Sequence, residues 1–430
     1  MSRRPAFTTF ASVDDPDGAL FQVVDNQKIF DLQRPSDPAD PHTLKHRFAS
    51  VEAIERITGV HSRRILRPDK EPIDLARAAI HAWRTKMGNE NPKIGALGVC
   101  HSMFELADAE ELAQRIGREI DIGRDRIIAL NTGCCGFVDL AMRGKKALED
   151  LPSDEQVLLL NIETQSLQTD ASDHATGALF ADAATATSLR NGHGHTLLHA
   201  ELKEVEIPSK ARDGKPMFPV ERRSATGYDG AVRPESQTIL MNGEAVYRHG
   251  IELMEKALID AIAYVSQQEA FADRTELVVP HQPSSTMVHA LRDEYGKQGR
   301  GELLINLRNC ANIISCTIPQ ILANLYGVMQ HNKRDVLSEA IAKGLRKELR
   351  PSFGKDREAL ASAVDQRVQK MDVLAEEQNL LRAGLFRRPP FEPPAPGTII
   401  LFPAAGICPP KHETHMYSGF GVMEWNPVRG

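Results

Sequence analysis

The sequence predicts an α/β fold built on parallel strands. Short apolar strands alternate with amphipathic helices from Val51 onward, as strand–helix–strand crossovers require. The same grammar returns after Ala245, which permits a duplicated domain. Composition agrees: 430 residues, 41% hydrophobic and 26% charged, describe an ordinary globular chain with room for a large core. Length alone allows two to four folding units of roughly 100–200 residues each.

The elements follow in order. The first 45 residues are rich in Asp and Pro and read as a strand or two with loops. Leu75 to Met87 reads as a helix with Ala and Ile on one face, and Ile94 to Val99 as a short strand. Ala109 to Ile120 is a helix and Arg126 to Leu130 a buried strand. Next come Asn131-Thr132-Gly133-Cys134-Cys135-Gly136-Phe137 and a helical run to Leu148. Gln156 to Ile162 is another buried strand, and Asn191 to His195 a glycine-rich turn. In the second half, Ala245 to Val265 is a long amphipathic helix, and Glu276 to Val279 a strand ending at Pro280-His281. Helices follow at Ser284 to Tyr295 and Ile318 to Met329, and a last strand at Thr398 to Phe402.

Lys333 to Arg388 breaks the pattern, with 13 Lys/Arg against 9 Asp/Glu in a helical register. The Pro-rich run from Arg387 to Gly397 closes it as a stiff connector. The segment reads as a solvated helical hairpin or as a docking surface or lid.

Several classes are excluded. A net charge of −6 gives no general reason to expect nucleic acid, and 23 aromatic residues advertise no base-stacking platform. No apolar run is long enough for a membrane helix. The basic start MSRRPAFTTF lacks the apolar segment of a secretory signal, so a cytoplasmic protein is expected. Six cysteines without a CxxC pair suggest neither a disulfide framework nor a zinc ribbon.

Three residues could carry chemistry. Cys134 stands where a buried strand gives way to a helix, where free N–H groups and the helix dipole favour thiolate. An inert buried cysteine fits that position equally well. His281 ends a strand, where parallel sheets place functional groups, but a packing histidine fits too. Asn309 and Asn312 offer amides able to donate to a carbonyl oxygen, or to cap a helix.

Together these elements resemble the Cys-His-Asn site of ketoacyl-ACP synthase III enzymes, of the thiolase-like condensing family. The runs are Cys134-Cys135-Gly136-Phe137, Val279-Pro280-His281-Gln282, and Asn312 seven residues before Pro319. Leu179 to Ala184, Met241 to Val246 and Gly419-Phe420-Gly421 are similar to further family segments. The resemblance implies a five-layer αβαβα fold of two duplicated halves, residues 1–200 and 201–430, with a charged insertion at 333–397. It implies a homodimer without a bound cofactor, acting on acyl-CoA or acyl-carrier-protein thioesters. Cys134 would be acylated, and His281 and Asn312 would stabilise the enolate of a second, malonyl or β-ketoacyl, thioester for a Claisen condensation. The Cys134 N–H with Gly421 or Gly419 would form the oxyanion hole. Gly243, Phe137, Phe104, Met103 and Arg56 would line the substrate path.

Departures suggest specialised, polyketide- or fatty-acid-derived metabolism. The family's Trp and Arg clamp for the CoA adenine is not clear around Arg56. Glu105 lies where head-to-head condensing enzymes place a base that serves the partner subunit, and also where a first-turn glutamate suits the helix dipole. An acyltransferase acting on oxygen or nitrogen, and a non-catalytic partner subunit, are the competing readings. The basic 333–388 segment could steer an acidic carrier protein. Cys408, His412 and His415 have metal-ligand residue types but no fourth ligand, and read as a loop over the site mouth rather than a metal centre.

Overall fold

The computed structural model describes residues 4–33, 48–88, 90–210, 214, 220–271, 273–297, 302–325, 330–354, 356–373, 375, 376, 379, 393–407 and 414–427. Strands are β1 (Pro5–Phe7), β2 (Ala11–Ser12), β3 (Phe21–Asp25), β4 (Ser62–Leu66), β5 (Lys93–Cys100), β6 (Ile127–Leu130), β7 (Glu155–Thr164) and β8 (Asp182–Asn191). They continue as β9 (His195–Glu206), β10 (Val220–Thr226), β11 (Val232–Ile239), β12 (Glu276–Val278), β13 (Glu302–Leu303), β14 (Thr398–Ile407) and β15 (His415–Trp425). Helices are α1 (Asn26–Leu32), α2 (Val51–Thr58), α3 (Pro72–Met87), α4 (Leu106–Glu119), α5 (Gly136–Glu149) and α6 (Gly243–Ser266). The rest are α7 (Ser285–Lys297), α8 (Leu307–Cys310), α9 (Thr317–Asn324), α10 (Gln330–Phe353) and α11 (Arg357–Gln369).

The main sheet runs β13-β12-β14-β15-β9-β1-β8-β7-β5-β6, and its two ends match. In the first half β5 pairs parallel with β6 and β7, and β7 antiparallel with β8. In the second, β12 pairs parallel with β13 and β14, and β14 antiparallel with β15. Helix α5 packs on β5, β7 and β8 of one half and on β9 and β15 of the other, making the middle helical layer. Helices α3 and α4 cover the outer face of the first half; α6 packs on β14 and β15 of the second, and α7 on α6. Strands covered on both faces read as continuous apolar runs, and β5 and β7 are buried along almost their whole length.

This is the five-layer duplicated architecture expected. The division at 200/201 would cut β9, however; the halves part at the turn before His195, where Gly192 and Gly194 adopt positive φ. The long charged segment forms its own compact unit, Asn324–Pro394, rather than 333–397. In it α10 and α11 bury Leu337, Ile341, Leu345 and Val364 against each other. Helix α9 stops at Asn324, short of the expected Met329; residues 326–329 lie outside the described residues.

Candidate active site

Cys134 lies in the single 3₁₀ turn Gly133–Cys135 between β6 and α5. Gly133, at φ 52°, supplies the left-handed bend that turns the chain from strand to helix. Asn312 lies after β13, the counterpart of β6, and His281 after β12, the counterpart of β5. The duplicated topology thus brings both halves to one cavity of about 930 Å³, lined by Cys134, His281 and Asn312 together.

The Cys134 side chain packs against the cluster of Leu179, Phe180 and Ile314, as Met241 does. Burial in this apolar setting pushes its thiol well above the usual range, and the carboxyl of Glu163 adds to the shift. The helix end was expected to favour thiolate; it does not prevail. A helix terminus supplies roughly 0.3–1 kcal/mol, less than the desolvation and the nearby carboxyl that oppose it at this half-buried thiol.

His281 is fully buried, and neither ring nitrogen meets hydrogen-bonding geometry with a protein partner, although the Ile314 backbone lies close enough to influence the ring. Burial lowers its pKa to about 3, so the imidazole is neutral at physiological pH. Asn312 is anchored at three points. Its N–H donates to Leu179 O at 3.0 Å, its C=O accepts from Ala181 N at 3.1 Å, and its Oδ1 accepts from Ile314 N at 3.0 Å. The amide Nδ2 is left as the group that can donate to a ligand. Ala311 at φ 58° and Ile314 at φ 51° hold strained backbone around it.

Other predicted residues divide. Met103, Phe104, Arg56 and Gly243 line the cavity; a Cβ on Gly243 would meet nothing within 4 Å. Phe137 does not. It is fully buried, with its ring 5.7 Å from Phe7 and 5.5 Å from Phe402, and belongs to the core. Gly419 and Gly421 are not the glycines against Cys134. Both lie within β15, paired with Ala404 and Phe402, and a Cβ on Gly421 would run into the Phe402 ring. Gly406, near the end of β14, takes that place: a Cβ there would lie 2.5 Å from the Cys134 Cβ and 3.3 Å from its N. The signal was available, since an apolar strand opening into Ala404-Ala405-Gly406 suits close backbone approach.

Glu105 is the exposed N-cap residue of α4 and makes no side-chain cap bond. It is absent from the lining of the cavity in its own chain. His415 begins β15, while Cys408 and His412 lie outside the described residues. Among the described residues no His, Cys, Asp or Glu group could hold a metal, and no helix is long and apolar enough to cross a membrane. Residues not foreseen are Glu163, Ser102 and Ser315, which hydrogen-bond beneath the site.

Comparison with known proteins points one way. The family model described as 3-Oxoacyl-[acyl-carrier-protein (ACP)] synthase III matches residues 128–205, which include Cys134. A beta-ketoacyl-[acyl-carrier-protein] synthase III of Dinoroseobacter shibae is 28% identical over 304 residues, covering 68% of this chain and 87% of its own. The enzyme of the same name from Staphylococcus saprophyticus is 23% identical over 273 residues, covering 63% and 79%. Among solved structures, 3-oxoacyl-(acyl carrier protein) synthase III from Pseudomonas aeruginosa superposes with a TM-score of 0.58 at 19% identity, covering 100% of both chains. OleA from Xanthomonas campestris, solved with lauric acid and lauroyl-CoA, gives a TM-score of 0.58 at 12% identity, covering 99% of this chain and 100% of its own.

Proposed function

We propose that the chain is a ketoacyl-ACP synthase III-like condensing enzyme that forms a carbon–carbon bond by Claisen condensation through an acyl group carried on Cys134. The observation that supports this most is the convergence of Cys134, His281 and Asn312, from both halves, on one cavity. The Cys134 sulfur attacks a thioester carbonyl, and the thiol proton leaves with the departing carrier thiol. The N–H groups of Cys134 and Gly406 are the donors proposed for the oxyanion, in place of Gly419 or Gly421. A second thioester then loses carbon dioxide, or, when it is a β-ketoacyl unit, gives its α-proton to the carboxylate of Glu105 reaching in from the partner subunit. Its enolate oxygen accepts from a ring N–H of neutral His281 and from Asn312 Nδ2. The enolate carbon attacks the acyl-cysteine and expels the Cys134 thiolate, which regains a proton.

Intact-mass measurement after incubation with a panel of acyl-thioesters tests the reading. The wild-type chain is expected to gain one acyl mass, and Cys134→Ala none. An alanine variant that still takes up the acyl group overturns it.

The thioester carrier belongs to the same proposal. The Asn324–Pro394 unit has a cleft of about 780 Å³ lined by exposed Arg346, Lys347, Arg350 and Arg357. Such a face suits an acidic acyl carrier protein. Reversing charge at Arg346, Lys347 and Arg350 is expected to raise KM for a carrier-bound donor about tenfold at low salt, leaving a CoA donor unaffected. An equal KM for the carrier-bound donor in both proteins removes this role. We further propose a cytoplasmic homodimer in which exposed Glu105 reaches the partner's cavity; a monomer in sedimentation analysis would rule that out.

A further inference from the structure

We propose that Glu163 is the positioning residue of this site, and that its carboxyl works in the neutral form: it ties a loop of each half together beneath Cys134 and keeps negative charge away from the thiol. This rests on the reading of Cys134 as nucleophile.

Glu163 sits near the end of β7 with no exposed surface. Its Oε1 contacts the Ser102 hydroxyl at 2.8 Å and the Ser315 hydroxyl, and its Oε2 accepts from Ser102 N at 3.2 Å. Ser102 belongs to the first half and lines the cavity beside Met103 and Phe104. Ser315 belongs to the second, in the 3₁₀ turn Ile314–Cys316. That turn starts at strained Ile314, whose N–H holds Asn312 Oδ1. One carboxyl therefore secures both the acyl-side loop and the amide that faces the enolate.

The neutral form follows from the surroundings. Three thiols feel the Glu163 carboxyl: Cys100 at the end of β5, Cys134 in the turn before α5 and Cys316 in the turn before α9. The ring of His101, next along from Cys100, is turned to Ile162 O at 2.7 Å. The nearby carboxylates are otherwise engaged, Asp139 with Arg143 and Asp182 with Ser166 and Leu66 N. Among the described residues no cation pairs with Glu163. Burial accordingly raises its pKa to about 8. A protonated carboxyl needs an acceptor, and a serine hydroxyl can rotate to provide it. Ionised, the group opposes formation of the Cys134 thiolate.

The test uses Glu163→Gln, an uncharged isostere, and Glu163→Ala, which removes the tie. Alkylation of Cys134 by iodoacetamide, followed by mass, reports thiolate without requiring condensation, so it stays decisive even if the proposed reaction is wrong. In the wild type the logarithm of the rate should rise with pH, dip below unit slope near pH 8, and resume. Glu163→Gln should show no dip and react several-fold faster at pH 9. Its condensation kcat at pH 7 should stay within about threefold of wild type. Glu163→Ala should lose at least tenfold in kcat with KM for the acyl donor little changed. Superimposable alkylation profiles of wild type and Glu163→Gln overturn the proposal, as does a Gln variant as inactive as the Ala variant. Should Glu163→Ala fail to fold, the Gln profile alone decides.

Discussion

Asn312→Ala is expected to load Cys134 with acyl at close to the wild-type rate, yet to form carbon–carbon bonds roughly 10²–10³ times more slowly, the loss typical of one preorganised oxyanion donor. The argument rests on how the amide is spent. Oδ1 is taken by Ile314 N–H at 3.0 Å, so only Nδ2 remains for an enolate oxygen. Loading of Cys134 needs no enolate and should not respond. Alanine also frees the Ile314 N–H, so Asn312→Asp is the companion probe: it keeps the acceptor for Ile314 and, when ionised, replaces the donor by a charge that opposes the enolate. Single-turnover measurement of acyl-enzyme formation beside product release checks both. Equal slowing of loading and condensation would place Asn312 in general site architecture instead.

Gly406→Ala is expected to slow Cys134 loading by about 100-fold or more while the protein stays folded. Its Cβ would lie 2.5 Å from the Cys134 Cβ and 2.8 Å from Sγ. Neither neighbour is the far end of a flexible chain, so the clash must displace the nucleophile or the β14 backbone, at a cost of roughly 1–3 kcal/mol for overpacking, besides spoiling any N–H aimed at the oxyanion. Gly421→Ala makes the contrast, because its Cβ would strike the Phe402 ring inside the sheet. That variant should lose thermal stability before it loses chemistry. Melting temperature and loading rate, measured on both, separate the roles. Normal loading by Gly406→Ala would return the oxyanion assignment to open ground.

Much of this was legible in the chain because local patterns carried it. The helices near Leu75, Ala109 and Ala245 and the strands at Ile94, Gln156 and Thr398 stand where their periodicity put them. Cys134 and His281 were legible because each follows a strand, and Asn312 through the resemblance its segment carries. The errors share a cause, which is that tertiary packing leaves little local trace. Phe137 follows the nucleophile by three residues, yet one step along α5 turns its ring into the Phe7, Phe10 and Phe402 cluster. Gly419 and Gly421 looked like a turn, but β15 runs unbroken through them and needs small residues against Leu202 and Phe402. Glu163 gave no signal, since a glutamate ending an apolar strand reads as a solvent-facing residue until β8 and the turn at Ser315 cover it.

The matched strand order makes each catalytic loop one of a pair of repeats. The loop after β12 holds His281, and the loop after the matching β5 holds His101, whose ring is committed to the Ile162 carbonyl. The loop after β6 holds Cys134, and the one after β13 and α8 holds Asn312. Under the proposed reaction the two halves divide the labour, one forming the covalent bond and the other steadying the carbanion. Neither half alone holds Cys134, His281 and Asn312 together. A fragment ending before His195 would carry Cys134 without His281 or Asn312, so complementation between separately expressed halves is the natural assay of that interdependence.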